Sequence, residues 1–405
     1  MEVILQHPYR RYDNSYRWIM KVLIFILQLI YYVCRIFKRG KKIVMLSRQA
    51  DSVPLDMKLL RVKLNELYPD YKVVVLAKRI GDGALQKIMY CFHVIRQIFH
   101  IATADAAILD SYCIPISILK HNGLLVIQMW HSVGTMKKFG LSILDQAEGS
   151  SRGIAKALHM HEGYDYVLCA SPEYREHLMD GFNVGSDKVA ILPLPRVELL
   201  QDKGYVSATS KRIKERYPIM KGRINIVYLP TFRKNDSTII TAVKALADNI
   251  DYDRYNLIVK LHPLDLARLN DDRVITADGF TSFEVITAAD VVISDYSCIV
   301  YEAGIAKKPV YFYAYDYEKY SSKRDMYIDY IHEMPSEICY TAKEVMQKIT
   351  QDEYDYDRLT KFVDKYVKMT GTETADIVEF IVDKILRGKD RKSTRLNSSH
   401  GRRSR

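Results

Sequence analysis

None of the six cysteines (Cys34, Cys91, Cys113, Cys169, Cys298, Cys339) belongs to a CxxC pair or to a Cys/His cluster at metal-ligand spacing. That argues against a structural zinc site and suits free thiols in a reducing compartment. An uninterrupted apolar run of membrane-spanning length is also missing. The most apolar stretch, Trp18 to Phe37, is broken by Lys21 and Arg35. Its charge-free part, Val22 to Cys34, covers about 20 Å as a helix, against a hydrocarbon core of roughly 30 Å. Basic residues, not a small-residue cleavage site, follow it, which argues against a cleaved signal peptide. The body of the chain lacks a basic excess as well. Of the net charge of +11, residues 1–42 contribute +7 and residues 389–405 contribute +6, leaving about −2 for everything between. A nucleic-acid-binding face needs bases within the folded body, so nucleic acid is not an expected partner.

What is present describes a globular protein of 405 residues with 48% hydrophobic and 27% charged side chains, enough for two domains of ordinary size. Thirty tyrosines against two tryptophans hint at wet, polar pockets. The apolar segment near the N-terminus carries bases on both sides: Arg10, Arg11 and Arg17, then Lys38, Arg39, Lys41 and Lys42. The expectation is a membrane-associating segment over residues 1–41, with an interfacial helix in its apolar stretch whose basic collar meets an anionic membrane surface at the cytoplasmic face. The alternatives are a buried first helix of the domain and a spanning helix with snorkelling ends. The last residues, 389–405, have no apolar periodicity and are expected to be an unstructured or appended basic tail.

Between these ends, short continuous apolar runs alternate with helical segments. Strands are expected at Ile43–Leu46, Val73–Leu76, Ala106–Leu109, Leu124–Met129 and Tyr166–Cys169, with helices at Asp56–Leu67 and Gln86–Ile98. After Pro193, Pro195 and a polar stretch the pattern restarts, with strands at Ile224–Leu229, Leu257–Leu261, Val291–Ser294 and Val310–Tyr313. Helices are expected near Thr241–Ala247, Ser282–Ala288 and Ser297–Ala303, then Thr341–Thr350, Tyr356–Lys368 and Glu373–Leu386. Continuous apolar strands separated by helices indicate parallel sheets covered on both faces. The expected fold is α/β, with two Rossmann-like domains facing across a cleft in the GT-B manner: residues 42–195, a linker over 196–222, and residues 223–388. Ligands in such folds bind beyond the carboxyl ends of the strands.

The chemistry-bearing residues fall at that edge in both halves. After the fourth strand comes Trp130-His131-Ser132-Val133-Gly134-Thr135-Met136-Lys137-Lys138. An imidazole there suits a general base, although a lone histidine after a strand is commonly structural. In the second half Thr231-Phe232-Arg233 ends one strand, Lys260-Leu261-His262-Pro263 another, and Asp295-Tyr296-Ser297-Cys298 a third. The third turns into a helix with Asp295 or Ser297 as expected N-cap, and its first amides could receive a pyrophosphate. Glu302, one turn in, could accept from ribose hydroxyls or lie exposed.

Taken in order, WHSVGTMKKFG, LPLPR, YLPTFR, KLHP and ISDYSCIVYEAGIAKKPVYFYAYDYEKY followed by Arg324-Asp325 resemble the CDP-glycerol glycerophosphotransferase family, which builds teichoic acids and related polyol-phosphate polymers. The resemblance implies a twin-Rossmann fold with monotopic membrane attachment. It also implies transfer of glycerol-phosphate or ribitol-phosphate from a CDP-polyol to a lipid-linked or polymeric cell-envelope acceptor, with release of CMP. His131 then matches a catalytic histidine and His262 a second essential one. Arg233, Ser297, Cys298, Glu302 and Arg324 fall on the donor side, and Lys137, Lys138 and Arg196 are acceptor-side candidates. Cys298 stands where a second serine is usual, and Ser132-Val133-Gly134 replaces the commoner Gly-Thr-Pro. No cofactor and no metal ligand set is expected, and the need for a divalent cation is left open. The rival readings are a GT-B glycosyltransferase using a nucleotide sugar and a non-catalytic membrane scaffold or nucleotide-binding module.

Overall fold

The computed structural model describes residues 14–81, 83–119, 121–233, 238–262, 265 and 268–400. Arg10, Arg11, Pro263 and the last part of the basic tail, 401–405, lie outside the described residues.

Two six-stranded, all-parallel sheets organise the chain. The first contains β1 (Lys42–Ser47), β2 (Lys72–Ala77), β3 (Ala106–Leu109), β4 (Leu125–Gln128), β5 (Tyr166–Cys169) and β6 (Val189–Ile191), in the order β2-β1-β3-β4-β5-β6. The second contains β7 (Ile224–Leu229), β8 (Tyr255–Val259), β9 (Val274–Ile275), β10 (Val291–Ser294), β11 (Val310–Tyr313) and β12 (Ile338–Cys339), in the order β12-β11-β10-β7-β8-β9. In each the order reverses beside the first strand, and the loops leaving the carboxyl ends open a crevice there. The central strands β1, β3, β4, β7, β8 and β10 are almost wholly buried, as their unbroken apolar runs require.

Three elements depart from the expected domain boundaries. The segment expected as a linker, 196–222, is largely helical. Arg196 begins the helix Arg196–Gln201, and the next helix, Lys203–Arg216, is capped by Asp202 and packs against Ser282–Ala288 of the second domain. The final helix, Glu373–His400, leaves the second domain and returns to the first. There Ile377, Val378, Ile381, Val382 and Ile385 join one core with β1, β3 and the helix Leu55–Leu67. The expected tail is helical as far as His400.

The N-terminal helix, Asn14–Cys34, buries only a narrow edge. Tyr31 enters the first domain's core and Met20 meets Ile154 and Leu158, while Trp18, Phe25, Leu29 and Tyr32 stay exposed. It packs on the helix Ala84–Thr103, which is also unusual. That helix displays Leu85, Ile88, Met89 and Phe92 to solvent on one helical stripe. Among the described residues no helix is long and apolar enough to cross a membrane.

A buried ion triad joins the domains. Arg196 donates from its backbone N–H to Asp56 Oδ1 (2.9 Å), from Nε to Asp56 Oδ2 (2.9 Å) and from Nη1 to Glu302 Oε1 (2.9 Å). Asp56 belongs to the first domain and Glu302 to the second, and both are almost inaccessible. Neither Arg196 nor Glu302 is therefore placed for the substrate roles expected of them. Their charges satisfy each other across the domain boundary. Removing the cation would strand two buried carboxylates, a loss of about 3–5 kcal/mol. Arg196→Met should lower stability to urea by that order, and Arg196→Lys should restore only part, since ammonium cannot reproduce the forked contacts. Unchanged unfolding midpoints for both variants would contradict this role.

Candidate active site

The carboxyl edges of the two sheets enclose a cleft of about 700 Å³. Its walls include Trp130, His131, Lys137, Lys138 and Glu148 from the first domain, and Thr231, Phe232, His262, Ser297, Cys298, Tyr320 and Arg324 from the second. Seven of the ten expected site residues are among them.

His131 is set by its neighbours. Directly before it, Trp130 adopts a left-handed backbone (φ 64°), a conformation that costs a non-glycine residue about 1–2 kcal/mol. Its N–H donates to Gln128 Oε1 (2.9 Å), and its indole packs on the His131 ring (4.1 Å between centroids) and on Phe139 (4.7 Å). This kink turns the chain out of β4 and presents the imidazole to the cleft. His131 Nδ1 lies 3.1 Å from the carbonyl oxygen of Asp110, which can only accept. The proton therefore sits on Nδ1, and Nε2 carries a lone pair. Burial pushes the ring down to about 4, with the charges of Arg196 and His262 acting in the same direction, so it is neutral near pH 7. A neutral imidazole with an unprotonated Nε2 can take a proton from a hydroxyl.

From the second domain, His262 follows β8, its ring 5.5 Å from that of Phe232. Burial, then the positive charges of Arg79 and Lys137, hold its pKa below the ordinary histidine value. Cys298 stands at the N-cap position of the helix Ile299–Ile305 without a side-chain capping bond, and Ser297 Oγ accepts from the Ile299 N–H (3.3 Å). Burial raises the Cys298 thiol, so it is no nucleophile near neutrality. Asp295 is spent elsewhere. Its Oδ1 accepts from the Thr231 backbone N–H (2.8 Å) and from Thr231 Oγ1 (2.7 Å).

Arg233 does not face the cleft. It forks onto Asp316 (2.7 and 2.9 Å), lies 2.9 Å from Asp295, donates to the Thr231 carbonyl (2.9 Å), and sits 4.8 Å over the Tyr315 ring. With its donors so engaged it ties the ends of β7, β10 and β11 together behind the site, and is not placed to hold phosphate. Arg324 is at the cleft, against Glu148 of the first domain. Lys138 reaches the cleft beside Asp325 (3.8 Å). Lys137, expected on the acceptor side, reaches across the boundary to Tyr320 of the second domain (3.1 Å). Asp110, Trp130, Tyr320 and Glu148 were not singled out by sequence reasoning. Only Trp130, adjacent to His131 after an apolar strand, carried a local signal. Among the described residues no group of three His, Cys, Asp or Glu side chains is arranged to hold a metal ion.

The cleft is closed by backbone as well as by side chains. Gly134 lies where an added Cβ would meet Tyr174 Oη at 2.4 Å and the Tyr301 ring at 2.6 Å, so this interdomain contact admits only glycine.

Comparisons with known proteins converge on one family. A family model described as CDP-Glycerol:Poly(glycerophosphate) glycerophosphotransferase matches residues 29–383. The chain is 26% identical over 362 residues to the teichoic acid ribitol-phosphate primase of Bacillus spizizenii, covering 86% of this chain and 92% of that protein. It is 26% identical over 329 residues to the teichoic acid glycerol-phosphate primase of Bacillus subtilis, covering 79% and 84%. Among solved structures, that of the wall teichoic acid polymerase TagF superposes with a TM-score of 0.72 at 16% identity, covering 93% of this chain and 99% of that one. A UDP-GlcNAc 2-epimerase from Neisseria meningitidis is more distant, with a TM-score of 0.53 at 11% identity, covering 85% of this chain and 100% of that one. With its motifs, its paired sheets and a family model spanning most of its length in agreement, this chain belongs to the CDP-glycerol:poly(glycerophosphate) glycerophosphotransferase family.

Proposed function

We propose that the protein transfers a polyol-phosphate, glycerol- or ribitol-phosphate, from a CDP-activated donor to a hydroxyl of a cell-envelope acceptor in teichoic-acid-type synthesis. One observation carries the reading. A neutral histidine with a free Nε2 and a second histidine among cations, supplied by opposite domains, line the same cleft. The first suits proton removal and the second suits phosphate charge. The acceptor oxygen attacks the β-phosphorus, and its proton passes to His131 Nε2. The bond from the β-phosphorus to the bridging oxygen breaks, and that oxygen leaves with its electron pair as part of CMP. His262, Arg324 and Lys138 face the space where the phosphates would lie. A similar structure of TagF is described with CDPG soaked into a histidine variant, which supports a CDP-polyol as donor class.

The exposed apolar stripes suggest where the reaction takes place. The helices Asn14–Cys34 and Ala84–Thr103 pack together and leave large apolar side chains in water, with Lys21, Arg35, Lys38, Arg39, Lys87 and Arg96 on or beside them. Apolar side chains amid bases fit an anionic lipid surface, on which both helices would lie without crossing. This would hold the protein peripherally at the cytoplasmic face, where a lipid-linked acceptor could reach the cleft. The reading needs no resident cofactor.

His131→Asn should lower kcat by about 10²–10⁴-fold while CDP-glycerol or CDP-ribitol still binds, whereas His262→Ala should weaken donor binding itself. Release of UDP instead of CMP from the corresponding nucleotide substrates would turn the assignment toward a glycosyltransferase. A base must be unprotonated to act, and His131 is held at about 4, so kcat/KM should persist well below pH 6.5 before falling. An acid limb at or above 6.5 would remove His131 as the base. Phe25→Glu combined with Phe92→Glu should abolish flotation with phosphatidylglycerol vesicles and leave the unfolding midpoint unchanged. Undiminished flotation would locate membrane contact elsewhere.

A further inference from the structure

Lys137 belongs to the first domain by sequence and to the second by position. Its backbone forms an antiparallel bridge with Met326. The Lys138 N–H donates to the Asp325 carbonyl (3.0 Å) and the Tyr327 N–H to the Met136 carbonyl (2.8 Å) on either side. Tyr327 is itself anchored to the first domain, stacked on His177 at 4.3 Å and donating to Asp180 Oδ2 at 2.8 Å. This strap leaves the Lys137 side chain one direction, into the cleft. Its ammonium donates to Tyr320 Oη (3.1 Å) and lies 5.7 Å from that ring's centroid.

The surroundings are short of negative charge. Among the described residues no carboxylate forms an ion pair with Lys137, and the near one, Asp295, is committed to Arg233 and Thr231. The other groups around it are Arg233, Arg324 with its partner Glu148, His262 and the Cys298 thiol, with Lys138, beside Asp325, next in sequence. Burial lowers Lys137 to about 8. A cation withdrawn from water without a counter-charge is costly, and a site retains one when a ligand brings the charge. A pyrophosphate is an anion with enough charge and oxygens to meet Lys137, Lys138, Arg324 and His262 together.

We propose that Lys137 is a catalytic residue contributed across the domain boundary, holding the donor's pyrophosphate and meeting the charge that grows on the bridging oxygen as the bond to the β-phosphorus breaks. It remains protonated throughout and transfers nothing. This rests on the CDP-polyol reading, but its electrostatic core concerns only a pyrophosphate anion in this cleft. Donor binding then requires the ammonium form, so affinity should fall as pH rises above about 8, and binding near that pH should take up protons.

The stability sign follows from linkage. Lys137 binds its proton more weakly in the folded chain than in the unfolded one, where lysine titrates near 10.4. Stability therefore rises with pH through the window from about 8 to 10.4, and at pH 7 the charged lysine destabilises the ligand-free fold.

The test uses the full chain, Lys137→Met and Lys137→Arg, with calorimetry against CDP and inorganic pyrophosphate and turnover of CDP-glycerol and CDP-ribitol. Lys137→Met should bind CDP and pyrophosphate about 10–100-fold more weakly, the usual loss for a charged hydrogen bond. Lys137→Arg should recover part of that affinity. Ligand-free Lys137→Met should melt higher than the parent at pH 7, with the gap closing above pH 8. Unchanged affinity for both anions overturns the proposal. So does weaker binding accompanied by a lower ligand-free melting temperature, the mark of a structural peg. If the parent turns over no CDP-polyol yet its binding of CDP and pyrophosphate depends on Lys137, the anion site stands and the donor reading fails.

Discussion

The forked contact of Arg196 with Asp56 and Glu302 is the constraint on which the cleft depends. The two Rossmann-like halves share an apolar core that runs between them where Tyr174 meets Tyr301, and discrete polar contacts add to it in fixing their relative placement. Here a guanidinium at the start of the crossover helix bridges one carboxylate from each half, all three largely out of water. A buried charge network of this kind adds little net stability over apolar packing, but it does not tolerate misalignment. Glu302 lies one turn into the helix that follows Cys298, and Asp56 stands at the start of the helix after β1. Those two points hold the helix after β10 of the second half against the helix after β1 of the first.

Charge is distributed unevenly around the site. Behind it, Arg233, Asp295, Asp316 and three tyrosine rings form a closed cluster in which each charge has a partner. In front, Lys137 is in the opposite condition, and Arg324 meets only a loop carboxylate, Glu148. Completed pairs make scaffold, while incomplete ones make a binding surface. The same test separates the two arginines that the motifs made equally attractive: Arg233 is consumed by its fold, and Arg324 faces the cleft.

Much of this was legible in the sequence because strands buried on both faces must be continuously apolar. Strands β1, β2, β3, β4, β5, β7, β10 and β11 follow from their apolar runs within a residue at each end, and β8 lies two residues before its expected place. The edge strands β6, β9 and β12 were missed, being two or three residues long with weak patterns. The cleft-lining histidines and lysines were legible because each follows such a strand. The fates of Arg196, Arg233 and Glu302 were not. A charged residue in a motif looks the same whether its partner is a substrate or a carboxylate more than a hundred positions away, as Glu302 is from Arg196. The C-terminal helix was expected at Glu373–Leu386, but its return to the first sheet was invisible for a related reason: amphipathic periodicity shows that a face is buried but not which sheet buries it.

That returning helix has a consequence for the birth of the protein on the ribosome. The face of the first sheet formed by β1 and β3 is covered by residues around Ile377–Ile385, which follow every strand of both sheets in the chain. Until they emerge, Ile43, Met45, Ala106 and Ile108 lack part of their cover, although every strand of that sheet was made long before. Completion of the first domain therefore waits for the second, and the nascent chain carries an uncovered apolar surface while the second sheet is made. Severing the polypeptide between the two sheets would not yield two self-sufficient halves.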